Sequence, residues 1–177
     1  MESATSTPEP HAAVALIRAI SPDPAYLVIR RANHPQDPWS GHFSLPGGKK
    51  EPADADLLAT CLRETEEEVG LSLLPGHLVR PLPIAWAGSA LGRPTTSVQP
   101  FLFEMAERPP VVLLSSEVAS VHWVSETFLL DRANHVRAPM LTHAPEKTFP
   151  GLPLADYFIW GFTYGILRDL LGGFPSL

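Results

Sequence analysis

The chain has 177 residues, 45% apolar and 18% charged, enough to bury the core of one domain and too apolar for a disordered chain. Its 13 basic and 19 acidic residues give a net charge of −6, which makes the chain a poor candidate for a duplex-binding protein but says nothing against a small phosphorylated substrate, because a bound cation reverses the local sign. A single cysteine, Cys61, excludes an intrachain disulfide and a cysteine-rich zinc site, and makes a reducing cytoplasm the expected compartment.

Met1 to Pro10 is polar, lacks a basic start, and reads as a flexible tail rather than a secretory signal. Residues 11–177 then read as a single domain. The early apolar run from Ala12 stops at Arg18, and no run reaches the roughly 20 residues of a spanning helix, so no membrane association is expected. His11–Ile20 and Tyr26–Arg31 read as strands joined by a Ser-Pro-Asp-Pro turn. Asn33–Gly48 reads as a Pro- and Gly-rich loop. Asp54–Val69 is the clearest helix: Leu57, Leu58, Cys61, Leu62, Thr65 and Val69 share one face, and Gly70 ends it. Leu78–Trp86, Thr96–Met105 and Val118–Val124 read as strands, and Ser125–Leu130 as a helical turn capped by Ser125. The 20 prolines, about twice the usual share of roughly 5%, mark many corners. Ala133–Pro153 accordingly reads as irregular, with His143–Pro153 the kind of long loop that often covers a site. Ala155–Leu171 reads as a closing helix. Strands on both sides of a central helix predict a mixed sheet flanked by helices.

Chemistry concentrates in Leu45–Leu71, LPGGKKEPADADLLATCLRETEEEVGL. A Pro-Gly-Gly turn allows close backbone approach to a ligand. On the helix that follows, Glu64 shares a face with Glu67 and Glu68 at spacings of three and four. Like charges so placed repel, near a helix end whose dipole also disfavours them. Arg63 can answer only part of that charge. Such a run is either a solvated acidic face or a site for a hard divalent cation, which prefers oxygen ligands.

Gly48 followed by Arg63-Glu64-Thr65-Glu66-Glu67-Glu68-Val69-Gly70-Leu71 resembles the Nudix box, G-x5-E-x7-R-E-U-x-E-E-x-G-U, where U is a bulky aliphatic residue. Thr65 departs from the aliphatic position. Asp54 stands where the first glutamate belongs, with Asp56 as a substitute, and the Gly48-to-Arg63 spacing is one residue longer. The resemblance implies a Nudix hydrolase: an α/β/α sandwich with a mixed β-sheet and a loop-helix-loop box. It implies cleavage of a nucleoside diphosphate linked to another moiety, with Mg²⁺ or Mn²⁺ as cofactor. Carried over by position, Glu64, Glu67, Glu68 and the Gly47 carbonyl would hold metal. Glu64 would be the general base and Arg63 would orient a carboxylate, with Glu117 and Glu146 as later alternatives for the base. Many relatives form homodimers.

Arg31-Ala32, Gly41 and Pro46-Gly47-Gly48 are also similar to the motif of the coenzyme A diphosphatase branch, L-L-T-x-R-[SA]-x3-R-x3-G-x3-F-P-G-G. Leu45 replaces its Phe, and Gln36 and Asp37 stand where its second Arg belongs. The resemblance makes coenzyme A the first expected substrate, and ADP-ribose or a nucleotide sugar the second. A ligand sensor without turnover is the rival class. Arg31, Gly48 and Trp39 are the candidate substrate contacts, Trp39 as a stacking surface for a base. Arg30 and Arg31 point to opposite faces of a regular strand. Trp86, Trp123 and Trp160 read as core, His42 as a loop residue, and Cys61 as a buried thiol.

Overall fold

The computed structural model describes residues 9–35, 37, 39–88, 95–140 and 144–174; most of the expected N-terminal tail lies outside them. The large sheet is built from β1 (Ala12–Ser21), β2 (Ala25–Arg31), β3 (Phe43–Ser44), β4 (Gly47–Lys49), β5 (Leu78–Pro81), β6 (Ala85–Ala87), β7 (Thr96–Glu107) and β8 (Val118–Ser125). Its main path runs β3-β2-β1-β7-β5, with β4 on β1, β6 on β7 and β8 on β2. The β1–β7 pairing is parallel and its other pairings are antiparallel, so the sheet is mixed.

β1 lies at the centre and is apolar on both faces, as a strand covered on both sides must be. Its alternation sorts the two cores. Ala13, Ala15 and Ile17 face the helix α1 (Leu57–Val69) and pack with Leu27, Ile29, Cys61 and Val69. Leu16 faces the other way and packs with Val28, Leu152, Ile159 and the helix α3 (Gly161–Leu170) through Tyr164 and Leu167. Helix, sheet and helix therefore form three layers. A short helix α2 (Glu126–Leu130) follows β8, with Ser125 Oγ accepting from the Phe128 N–H.

α1 begins three residues later than its sequence suggests. Asp56 is its N-cap, accepting from the Ala59 N–H at 2.8 Å. Gly70 ends it in the left-handed region, φ 64°. Thr65, at the aliphatic position of the motif, is fully buried and donates its hydroxyl to the Cys61 carbonyl at 2.7 Å, so no polar group is left unpaired.

Four expectations are corrected. The strand expected over Leu78–Trp86 is two strands, divided at 82–84 around Pro83. The segment expected to be irregular after Ala133 holds β9 (Val136–Met140) and β10 (Ala144–Leu154), which with β11 (Tyr157–Trp160) form a second sheet ordered β11-β10-β9. Pairing overrides the proline signal there, and Pro139 sits on an edge strand, where proline is tolerated. The closing helix starts at Gly161 rather than Ala155 and has 10 residues, because Tyr-Phe-Ile-Trp is a β-favouring run that pairs with β10. Trp86 is 43% exposed rather than core, and Trp160 is buried on a strand rather than a helix.

Candidate active site

Packing α1 against β1 and β4 brings the Gly-Gly turn to the acidic face of the helix. Gly47 and Gly48 pair with Val14 and Ala13 of β1. Both positions have no room for a side chain. A Cβ on Gly47 would stand 2.2 Å from the Ala13 carbonyl oxygen, at φ 145°. A Cβ on Gly48 would stand 2.3 Å from Glu64 Oε1. The Gly47 N–H donates to Glu68 Oε2 at 2.9 Å.

Arg63 organises the carboxylates. Its Nε and Nη2 donate to the two oxygens of Asp54 at 2.9 and 3.0 Å. Its Nη1 donates to Glu64 Oε1 at 3.1 Å and Glu67 Oε2 at 3.0 Å. Asp54 also accepts from Thr60 Oγ1 and the Glu51 N–H. Asp54, not Asp56, is thus the acidic partner of the arginine, and the extra residue in the loop is absorbed before the cap. The Arg63 guanidinium holds the Asp54 carboxyl well below the usual carboxylate range, helped by the Glu51 N–H.

Glu64 and Glu68 shift the other way from Asp54. Burial pushes the Glu68 carboxyl up to about 8, with the Gly47 N–H and Arg31 opposing and Glu64 and Glu117 adding to the rise. Burial also raises Glu64, against Arg63, with Glu67 and Glu117 adding. Glu67 is more open, its side chain 57% exposed. Glu117, in the turn before β8, is therefore electrically part of this cluster, whereas Glu146 is exposed on β10.

Among the described residues, no three acidic, His or Cys side chains already form a metal-shaped cage. Arg63 and the Gly47 N–H hold the carboxylates instead. The donor set nevertheless fits a hard divalent cation. Glu64, Glu67 and Glu68 offer oxygen alone, and the single cation Arg63 answers only part of their charge, the rest of which such an ion would relieve.

Arg31 stands at the end of β2, and its charge acts on Glu68. Its Nε and Nη2 are both on Asp37 Oδ2, at 2.8 and 2.7 Å. Burial alone would raise Asp37, but the Trp39 N–H and Arg31 outweigh it and lower the carboxyl. Arg30 takes the opposite face. It donates to the Gly41 carbonyl, pairs with Asp156, and lies over the rings of Phe43 and Tyr157.

Arg31 also lines a cavity of about 850 Å³ that extends to α3. Trp39 stands in its wall, packed on Trp160 at 6.4 Å and His42 at 5.8 Å. Phe149 lies against Trp160, the ring centres 4.9 Å apart and the planes tilted by 50°. His42 is buried and stacks on Tyr157, whose hydroxyl lies 3.3 Å from His42 Nε2. The sequence singles out Trp39 but not Phe149 or the cavity arginines Arg80 and Arg168. Only the sheet and α3 together bring those residues to one cavity, and no local spacing signals it.

The NUDIX domain family model matches residues 9–144. A Nudix hydrolase NudL of Yersinia pestis is 30% identical over 163 residues, covering 90% of this chain and 77% of its own. A Schizosaccharomyces pombe protein is 34% identical over 131 residues, 72% of this chain, and this chain spans 40% of its length. The NUDIX domain of Shewanella oneidensis NrtR, solved with ADP ribose, superimposes with a TM-score of 0.57 at 20% identity, over 73% of this chain and 81% of its own. Motif, fold and sequence identity agree: the chain belongs to the Nudix hydrolases, a family that acts on pyrophosphate bonds and generally uses divalent metal ions such as Mg²⁺.

Proposed function

We propose that this chain is a divalent-metal-dependent diphosphatase that splits a nucleoside diphosphate linked to another moiety, with coenzyme A or a related derivative as first substrate. The observation that carries the reading is the convergence of Glu64 and Glu68 on the Gly47–Gly48 turn, with Arg63 fixing Glu64 and Glu67. Glu64, Glu67, Glu68 and the Gly47 carbonyl would hold Mg²⁺, or Mn²⁺ in its place. Bound there, the ion would supply charge neutralisation for the phosphate oxygens and a more acidic water. Glu64 accepts the proton of the attacking water, its affinity for protons already raised by burial. Arg63 is a positioning residue, because its donors are engaged by Asp54, Glu64 and Glu67. Gly48 admits the diphosphate close to the backbone, Arg31 binds a phosphate oxygen, and Trp39 offers the base a stacking surface in the cavity wall.

ADP-ribose or a nucleotide sugar is the second reading, supported by the ADP ribose of the Shewanella domain. Purified protein with Mg²⁺ is offered coenzyme A, ADP-ribose, nucleotide sugars and nucleoside triphosphates, with mass spectrometry of the products. Adenosine 3′,5′-bisphosphate with 4′-phosphopantetheine is expected. AMP with a sugar phosphate would move the assignment to the second reading. Binding of these compounds without cleavage, in Mg²⁺ and Mn²⁺ alike, would make the protein a ligand sensor.

A further inference from the structure

We infer that the cavity carries a second phosphate subsite at Arg80, remote from the scissile diphosphate, so that the favoured ligand bears a further phosphate on its nucleoside. The inference rests on the diphosphatase reading for the placement of the diphosphate only. Three arginines, Arg31, Arg80 and Arg168, line the cavity, against a single carboxylate, Asp169. That is a positive lining in a chain of net charge −6. Two of the three cations are engaged: Arg31 by Asp37 and Arg168 by Asp169, at 2.7 and 2.8 Å. Among the described residues no hydrogen bond or ion pair engages the Arg80 side chain.

Its position is set by the sheet. Arg80 on β5 lies opposite Leu102 of β7, and opposed residues of an antiparallel pair share a face. Leu102 belongs to the core that packs with α3, so Arg80 projects on the cavity side. β2, which carries Arg31, and β5 are separated by β1 and β7. Three strand spacings put the two strands about 14 Å apart, and Arg80, opposite Leu102, is also offset along the sheet from Arg31, so the two arginines lie at opposite sides of the cavity. A ligand whose diphosphate engages Arg31 can therefore meet Arg80 only with a group carried beyond the diphosphate, on its nucleoside. A guanidinium there matches a phosphate through paired N–H groups. The partly polar lining and the aromatic wall of Trp39 and Trp160 suit the sugar and base between them.

The test is calorimetric and needs no turnover. AMP and adenosine 3′,5′-bisphosphate are titrated into the wild-type protein and Arg80→Gln. The bisphosphate is expected to bind the wild type at least about tenfold tighter, close to 1.4 kcal/mol. Arg80→Gln is expected to shrink that advantage below about threefold and leave AMP affinity unchanged. Arg80 is exposed on an edge strand, so its melting temperature should be unaltered. Equal binding of the two nucleotides by the wild type would overturn the subsite, as would an advantage that survives Arg80→Gln. Cleavage of any diphosphate without a bisphosphate preference would sink this inference alone. A bisphosphate preference lost in Arg80→Gln, in a protein that cleaves nothing, would sink the hydrolase reading alone.

Discussion

Arg63 and Asp54 are joined through two parallel hydrogen bonds, Nε to Oδ1 at 2.9 Å and Nη2 to Oδ2 at 3.0 Å, across the cap of α1. The pair ties the loop after the Gly-Gly turn to the helix that carries the carboxylates. It leaves Nη1 to hold Glu64 and Glu67. Lysine has no planar fork and cannot make this arrangement. Arg63→Lys is therefore expected to lower kcat by about tenfold or more, with a smaller change in KM, in steady-state assays on whichever diphosphate is cleaved.

The same pair sets an acid limit on stability. The Asp54 carboxyl is held below its ordinary value, so its contribution is present above about pH 4 and is lost as pH falls through the depressed range. Thermal melts between pH 6 and pH 2.5 should show a steep acid fall for the wild type. In Asp54→Asn the melting temperature should start lower at pH 6 and fall less. An unchanged acid slope in the variant would show that other carboxylates govern it.

Glu68 opposes function to stability. Glu68→Gln keeps an oxygen for the Gly47 N–H and removes a charge that burial disfavours. Hydrolysis should drop at least about tenfold, or 1.4 kcal/mol of barrier. In chelator at pH 8 and above, the melting temperature should not fall and is expected to rise. A variant both inactive and less stable in chelator would mean that Glu68 is needed for packing.

The two glycines should fail differently. A Cβ at Gly47 meets backbone, the Ala13 carbonyl and Val14 Cα, at a φ that L residues rarely adopt. Gly47→Ala should destabilise by about 1–3 kcal/mol. A Cβ at Gly48 meets only the end of the Glu64 side chain, which can move. Gly48→Ala should fold with a smaller loss and act mainly on kcat. Urea unfolding beside kinetics separates the two; equal destabilisation would refute the distinction.

Cys61 is fully buried between α1 and the sheet, and burial pushes its thiol well above its ordinary value. A thiolate reagent should leave the native protein unlabelled over hours and label it at once in denaturant. Fast native labelling would show that α1 opens readily from the sheet.

What could be read from the sequence follows from how far apart the contacting residues lie. α1, its apolar face and its Gly70 stop are local properties, and so is the shared face of Glu64, Glu67 and Glu68. The partner of Arg63 had two candidates nine and seven residues away, and only the cap geometry separates Asp54 from Asp56. The second sheet is the exception: its strands pair with their neighbours in sequence, β9 with β10 and β10 with β11, but the prolines they contain signal breaks locally. The aromatic wall joins Trp39 to Trp160 and His42 to Tyr157. No spacing rule reaches that distance. The same holds for Arg80, whose face is decided by Leu102 across the strand pair.

The parallel pairing of β1 with β7, from Ala12 against Val98 to Ser21 against Glu107, fixes an order of assembly. The first strand of the chain waits for one synthesised long after α1. Until β7 emerges, one edge of β1 is open, and the face that carries Leu16 stays uncovered until α3 follows. The chain should therefore fold late and slowly, in the manner of topologies dominated by distant contacts. The half-made intermediate would be the species that chaperones meet.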